Sequence, residues 1–334
     1  MHVKSLVTPM IIIVMIATLL TTCTPAAKTT QLVAATTSAV TKAPTKEPSA
    51  TLTAPPTDTP TQSDTPTKTP TETATPDLRL DPEDWQSWHI VPTVSANAKA
   101  IYARGLDMGN DPNHFSKVGD CQNITTYFLA IFDDPEQYRL GPDYDYLQEA
   151  IDHFSGSFSR ESAATSGGMN IASVLSHYWA DKERCASQES PLDCELRIHQ
   201  PSIVLLSMEE SWGSNNKVEN YEKYMRRIIE TVIEAGAVPI LATKADNMEG
   251  GHLINQAIAR LAYEYDLPLW NFWLAVQPLP NHGVLEDGFH LTHGLNYYDE
   301  RRNLKQAWPV RNLTALQVID SVWRQLNDLS REKD

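Results

Sequence analysis

Aromatic residues are missing from the first quarter of this 334-residue chain, since all eight Trp and all twelve Tyr lie beyond residue 78. From Thr24 to Pro76, where apolar content is also low, the chain cannot bury enough surface to offset its ordering entropy, which excludes a packed core there. Positive charge is also short. Lys and Arg number 27 against 42 Asp and Glu, a formal net charge of −15 with no basic patch, and this excludes nucleic acid as a partner. No G-x-x-x-x-G-K-[ST] loop occurs, so a nucleotide would find no phosphate cradle. Neither C-x-x-C nor H-E-x-x-H occurs. His282, Asp287, His290 and His293 are of ligand type, but their spacing matches no metal motif, so neither metal nor cofactor is expected. Cysteine is limited to four positions, 23, 121, 185 and 194.

What is present divides into three parts. Residues 1–22 have Lys4 near the start, an apolar run from Met10 to Leu20 and then small polar residues, the layout of an export signal. The run ends in Leu20-Thr21-Thr22-Cys23, which resembles a bacterial lipobox with Thr22 in place of the usual Gly, Ala or Ser. Cys23 is thus a candidate for lipidation, the alternative being an ordinary signal with an incidental cysteine. Residues 23–78 are rich in Thr and Pro, as in "TDTPTQSDTPTKTPTETATP". They read as an extended tether, on the order of 150 Å if fully stretched at about 3.1 Å per residue. Residues 79–334 are left to fold, enough for one large domain.

Within that domain apolar runs alternate with amphipathic ones. Strands are predicted at 115–119, 201–208, 237–243 and 267–273. Helices are predicted at 144–154, 219–236, 253–266 and 312–329. Apolar strands separated by helices indicate an α/β protein, a three-layer α/β/α sandwich with a mainly parallel, flavodoxin-like sheet of about five strands. Functional groups then gather at the strands' carboxyl ends. Cys185 and Cys194 flank a short polar loop and are the expected disulfide, which leaves Cys121 outside it. The alternatives for Cys121 are a buried structural thiol and a disulfide to Cys185 or Cys194.

Three blocks stand out in chain order: Gly119-Asp120-Cys121 at the end of the first strand, "TSGGMN" at 165–170, and "DGFHLT" at 287–292. Together they resemble the SGNH, or GDSL-like, hydrolase family, over essentially all of 95–330. The resemblance implies an acyl-transfer site. Cys121 stands where the family has a serine nucleophile, His290 is the general base and Asp287 fixes its tautomer. Backbone N–H groups of Cys121 and of Gly167 or Gly168 donate to the oxyanion.

Two departures are plain. The nucleophile is sulfur. Where the family has G-x-N-D, this chain reads "SMEESWGSNN", with Glu209 at the glycine and Ser211 at the asparagine position; Asn215 and Asn216 follow close by. The expected function is an esterase-type hydrolase of acyl or acetyl esters, of glycans if Trp212, Trp270 and Trp273 line the rim. The alternative is a catalytically silent domain of the same frame that binds a surface glycan or protein. Either way the expected location is outside the cell, lipid-anchored on the outer face of a bacterial membrane. "TKAD" at 243–246 looks like the guanine-specificity motif of GTPases, but lacks the phosphate loop it would need.

Overall fold

Contacts divide the chain at Pro76 and Asp77. A computed structural model describes residues 79–208 and 217–329. The segments expected to be an export signal (1–22) and a tether with Cys23 (23–78), and the block holding Glu209, Ser211, Trp212, Asn215 and Asn216, lie outside the described residues. Among the described residues no helix is long and apolar enough to cross a membrane.

The first long elements are α1 (Ala96–Met108), β1 (Asp111–Gly119), the two-residue β2 (Tyr138–Arg139) and α2 (Gln148–His153). There follow α3 (Pro191–His199), β3 (Pro201–Ser207), α4 (Val218–Glu234), β4 (Val238–Ala242) and α5 (Leu253–Glu264). The chain closes with β5 (Leu269–Trp270), α6 (Phe272–Val276), β6 (Asn296–Tyr297) and α7 (Ala307–Leu326). The main sheet is parallel in the order β1-β3-β4-β5. Helices α3, α4 and α5 pack beside one another, as do α1, α2 and α7, which gives the three-layer α/β/α sandwich. β2 and β6 pair in a small separate sheet. Among the described residues the main sheet has four strands where about five were expected, and on the outer side of β1 there is an isolated parallel bridge, Gly119 to Thr165.

Composition explains the layering. β3 is buried at all seven positions and β4 at all five, as expected of strands covered on both faces. Tyr221, Met225, Ile228, Ile229 and Val232 form one buried stripe of α4 at helical spacing. Ser95 caps α1 by accepting from the Ala98 N–H at 3.0 Å. Gly105 lets α1 lie against the turn after α4, because a Cβ there would fall 1.9 Å from the Gly236 carbonyl oxygen. Gly236 itself has a φ of 77°, open to glycine at no steric cost.

Two expectations need correction. The predicted strand 267–273 forms only Leu269–Trp270. Asn271, fully buried, turns the chain into α6 by accepting from Leu274 N and donates to the carbonyls of Trp85 (2.9 Å) and Trp88 (3.0 Å). The stretch between the paired cysteines is not all loop. Ser190 and Pro191 start α3, the Ser190 hydroxyl accepting from Asp193 N, so Cys194 is a buried helical residue. The Cys185–Cys194 disulfide is formed, and Cys121 stands apart from it as a half-buried thiol.

Candidate active site

β1 ends at Gly119 because no other residue fits there. A Cβ on Gly119 would come within 2.1 Å of the Asn123 Nδ2 and 2.3 Å of the Ser207 carbonyl oxygen, the two atoms that hydrogen-bond across the strand ends at 2.7 Å. Asp120 then caps a single 3-10 turn, Cys121–Asn123, its carboxylate accepting from Gln122 N. Cys121 opens this turn at the carboxyl end of the sheet, the position expected of it.

The second block arrives alongside. Gly119 N donates to the Ala164 carbonyl at 3.1 Å, and the Thr165 hydroxyl donates to the Lys117 carbonyl at 3.1 Å. Gly167 consequently lies over Ile124, where an added Cβ would touch Cδ1 at 3.7 Å. Blocks one and two therefore share one rim, with Gly167 rather than Gly168 against the Cys121 loop; Gly168 has a φ of 79° and no atom within reach of its Cβ position.

The third block is a small built unit. The Asp287 carboxylate accepts from His290 Nδ1 at 2.6 Å through one oxygen and from the backbone N–H of Phe289 and His290 through the other. The bond from His290, with those two amides, draws the Asp287 carboxyl down to about 2, so it is ionised throughout the neutral range. An ionised carboxylate can only accept, so Nδ1 carries a proton, and in the neutral imidazole Nε2 is then the nitrogen left with a lone pair, the tautomer a general base needs. Both side chains are open to solvent, His290 at 59% and Asp287 at 48%. Leu291 anchors the segment in the core, and the Thr292 hydroxyl accepts from Ala307 N at 2.8 Å, fastening it to the start of α7.

Two residues that sequence reasoning missed tie these blocks together. Gln122, 5% exposed, donates its amide to the Phe289 carbonyl at 3.2 Å, which links the neighbours of Cys121 and His290 directly. Its Oε1 is buried with no hydrogen-bond partner. Arg311, fully buried on α7, donates to Asn123 Oδ1 at 3.1 Å and to Ser207 Oγ at 2.9 Å. Its guanidinium lies over Phe128 (4.7 Å), Phe272 (5.1 Å) and Trp270 (5.4 Å), aromatic faces that suit a delocalised cation. No pattern at 122 or 311 announces either role; an Arg inside an apolar helix was the one available signal.

Other candidates are accounted for. Trp270 is core, stacked on Phe128, and Trp273 packs edge-on against Trp85, so neither forms an open aromatic shelf. Lys244 of "TKAD" is buried between Asp246 (2.8 Å) and Glu249 (2.6 Å), both of which hold its ammonium in the charged form against burial. Of the histidine-rich segment, His282 bonds the Gln277 carbonyl and His293 stacks on Trp308. Among the described residues Cys185, Glu189 and Cys194 alone cluster at metal-ligand range, and their sulfurs form the disulfide. No protein-family model and no curated protein matches this chain.

Proposed function

We propose that the chain is an acyl-ester hydrolase that works through Cys121, His290 and Asp287. The observation that carries this reading is the Gln122–Phe289 bond, which joins the Cys121 turn to the Asp287–His290 pair across 167 residues. In this reading His290 Nε2 takes the proton from the thiol as sulfur attacks the ester carbonyl. The carbonyl oxygen gathers negative charge that the backbone N–H groups of Cys121 and Gly167 stabilise, with Ser211 as a third donor. The C–O bond then breaks, and the departing alkoxide receives the proton from His290. Water, deprotonated by the same imidazole, hydrolyses the thioester, releasing the carboxylic acid and restoring the thiol. Asp287 holds the imidazole and stabilises its cationic form.

We also place the domain outside the cell, held at the membrane by a lipid on Cys23 and the tether. The disulfide supports this, since such bonds persist in oxidising compartments.

The test is the rate of Cys121 alkylation by iodoacetamide from pH 5 to 9, in the full chain and its His290→Ala variant. The expected result is an apparent thiol pKa well below ~8.5, the value of an unperturbed cysteine, with the depression lost in His290→Ala. A thiol that reacts only after denaturation, or that ignores His290, refutes the enzyme and leaves the silent binding domain.

A further inference from the structure

Beside the oxyanion position lies a cavity of ≈ 360 Å³, within the size range of small-ligand sites. Ile124 and Gly167 form part of its wall, so it lies next to the Cys121 turn. Its other walls carry somewhat more polar than apolar surface, Glu161, Thr165, Ser166, Asp181 and Arg184 standing beside Ala163 and Met169. Such walls do not suit an acyl chain, whose burial there would desolvate carboxylates and hydroxyls without replacing their hydrogen bonds. Into this polar setting projects one indole, Trp179, 47% exposed. A large apolar ring left open amid charged groups is a platform looking for a flat partner that is apolar on its face and polar at its edge. A sugar ring has that shape.

The charge balance narrows the choice. Glu161 and Asp181 offer two carboxylates against the guanidinium of Arg184 and the buried Lys117 amine, which bonds the wall residue Thr125 at 3.3 Å and, pushed down to about 7 by burial, carries only part of a charge near neutrality. Arg160, close by in sequence, is already paired with the buried Glu195 and does not redress the balance. Arg184 is itself held in place, Nη2 donating to the Glu161 carbonyl at 3.0 Å, so its remaining N–H groups are pre-positioned donors. An anionic ring would meet a net negative cavity in a chain of net charge −15. We propose that this cavity is a saccharide subsite of the ester-hydrolase site, resting on that reading, and that it holds a sugar ring free of negative charge over Trp179.

Titration calorimetry on the full chain tests this with four probes: neutral tetrasaccharides of N-acetylglucosamine, xylose and glucose, and anionic tetragalacturonate. At least one neutral probe binds, tetragalacturonate does not, Trp179→Ala weakens binding about tenfold or more, and Trp179→Phe, which keeps a ring, stays within a few-fold of the wild type. A thermal melt of each variant shows that the fold is intact. The subsite is overturned if no neutral probe binds, if tetragalacturonate binds as well as they do, or if Trp179→Ala leaves binding unchanged. These results are separate from the alkylation profile. A coupled thiol with no saccharide binding sinks the subsite alone, whereas Trp179-dependent binding with an inert thiol sinks the hydrolase and keeps the cavity as a sugar site.

Discussion

Gln122 makes one hydrogen bond where its amide could make several. It spends its N–H on Phe289 and keeps a buried carbonyl oxygen without a donor, an arrangement that costs about 1–3 kcal/mol. Turning the amide over would set two carbonyl oxygens face to face, so the orientation is fixed by its partner. Exchange for methionine, close in volume, removes both the tie and the unpaired oxygen. Gln122→Met should therefore leave stability within about 1 kcal/mol of the wild type while the Cys121 thiol pKa drifts toward ~8.5, the free-cysteine value. Denaturant titration and the iodoacetamide profile read the two effects separately. A large stability loss with an unchanged thiol profile would make Gln122 a packing residue and nothing more.

At the scale of elements, β1 carries a buried charge as well as a rim. Lys117 donates from Nζ to the Phe158 carbonyl at 2.7 Å and to the Thr125 hydroxyl at 3.3 Å, neither of them an anion. Burial, with the Arg160 cation adding to it, pushes the ammonium down to about 7. An unfolded lysine titrates near 10.4, so between about pH 7 and 10 the unfolded chain binds the extra proton and folding stability rises with pH. The rise is at most about 1.4 kcal/mol per pH unit, is complete above the unfolded value, and is absent below the folded one. Subtracting a Lys117→Met titration from that of the wild type, both by urea unfolding at several pH values, should isolate this slope; a flat difference means the lysine stays charged. The element level is also where the sequence was most and least informative. Buried strands β3 and β4 and the stripe of α4 were legible because apolar runs and 3.6-residue spacing are local signals. β5 was overdrawn because a single buried amide, Asn271, ends it through partners nearly 190 residues away. Asp287 and His290 were legible as a pair three residues apart, and Thr165–Gly167 as a glycine block. Gln122 and Arg311 were not, since their roles exist only once the β1 end, the 289 loop and α7 have met.

For the molecule as a whole, the division at Pro76 matters as much as the site. Under the proposed function, a lipid on Cys23 holds the chain at the cell surface. Labelled palmitate should enter the wild-type chain in a bacterial host that processes lipoproteins and be absent from Cys23→Ser, which should appear in the medium or periplasm; equal labelling of both would show that Cys23 is not the anchor. Under the proposed anchoring, copies are crowded into two dimensions, and there the bridge at Thr165 acquires a second meaning. The outward amides and carbonyls of β1 are not offered to a neighbour: Phe115 N is taken by the Ser157 hydroxyl, the Lys117 carbonyl by Thr165 and Gly119 N by Ala164. At the opposite margin β5 is only two residues long. A sheet with one margin occupied by hydroxyls and a backbone carbonyl of its own chain and the other cut short gives an adjacent copy no long ladder to extend, so crowding need not turn into fibrils.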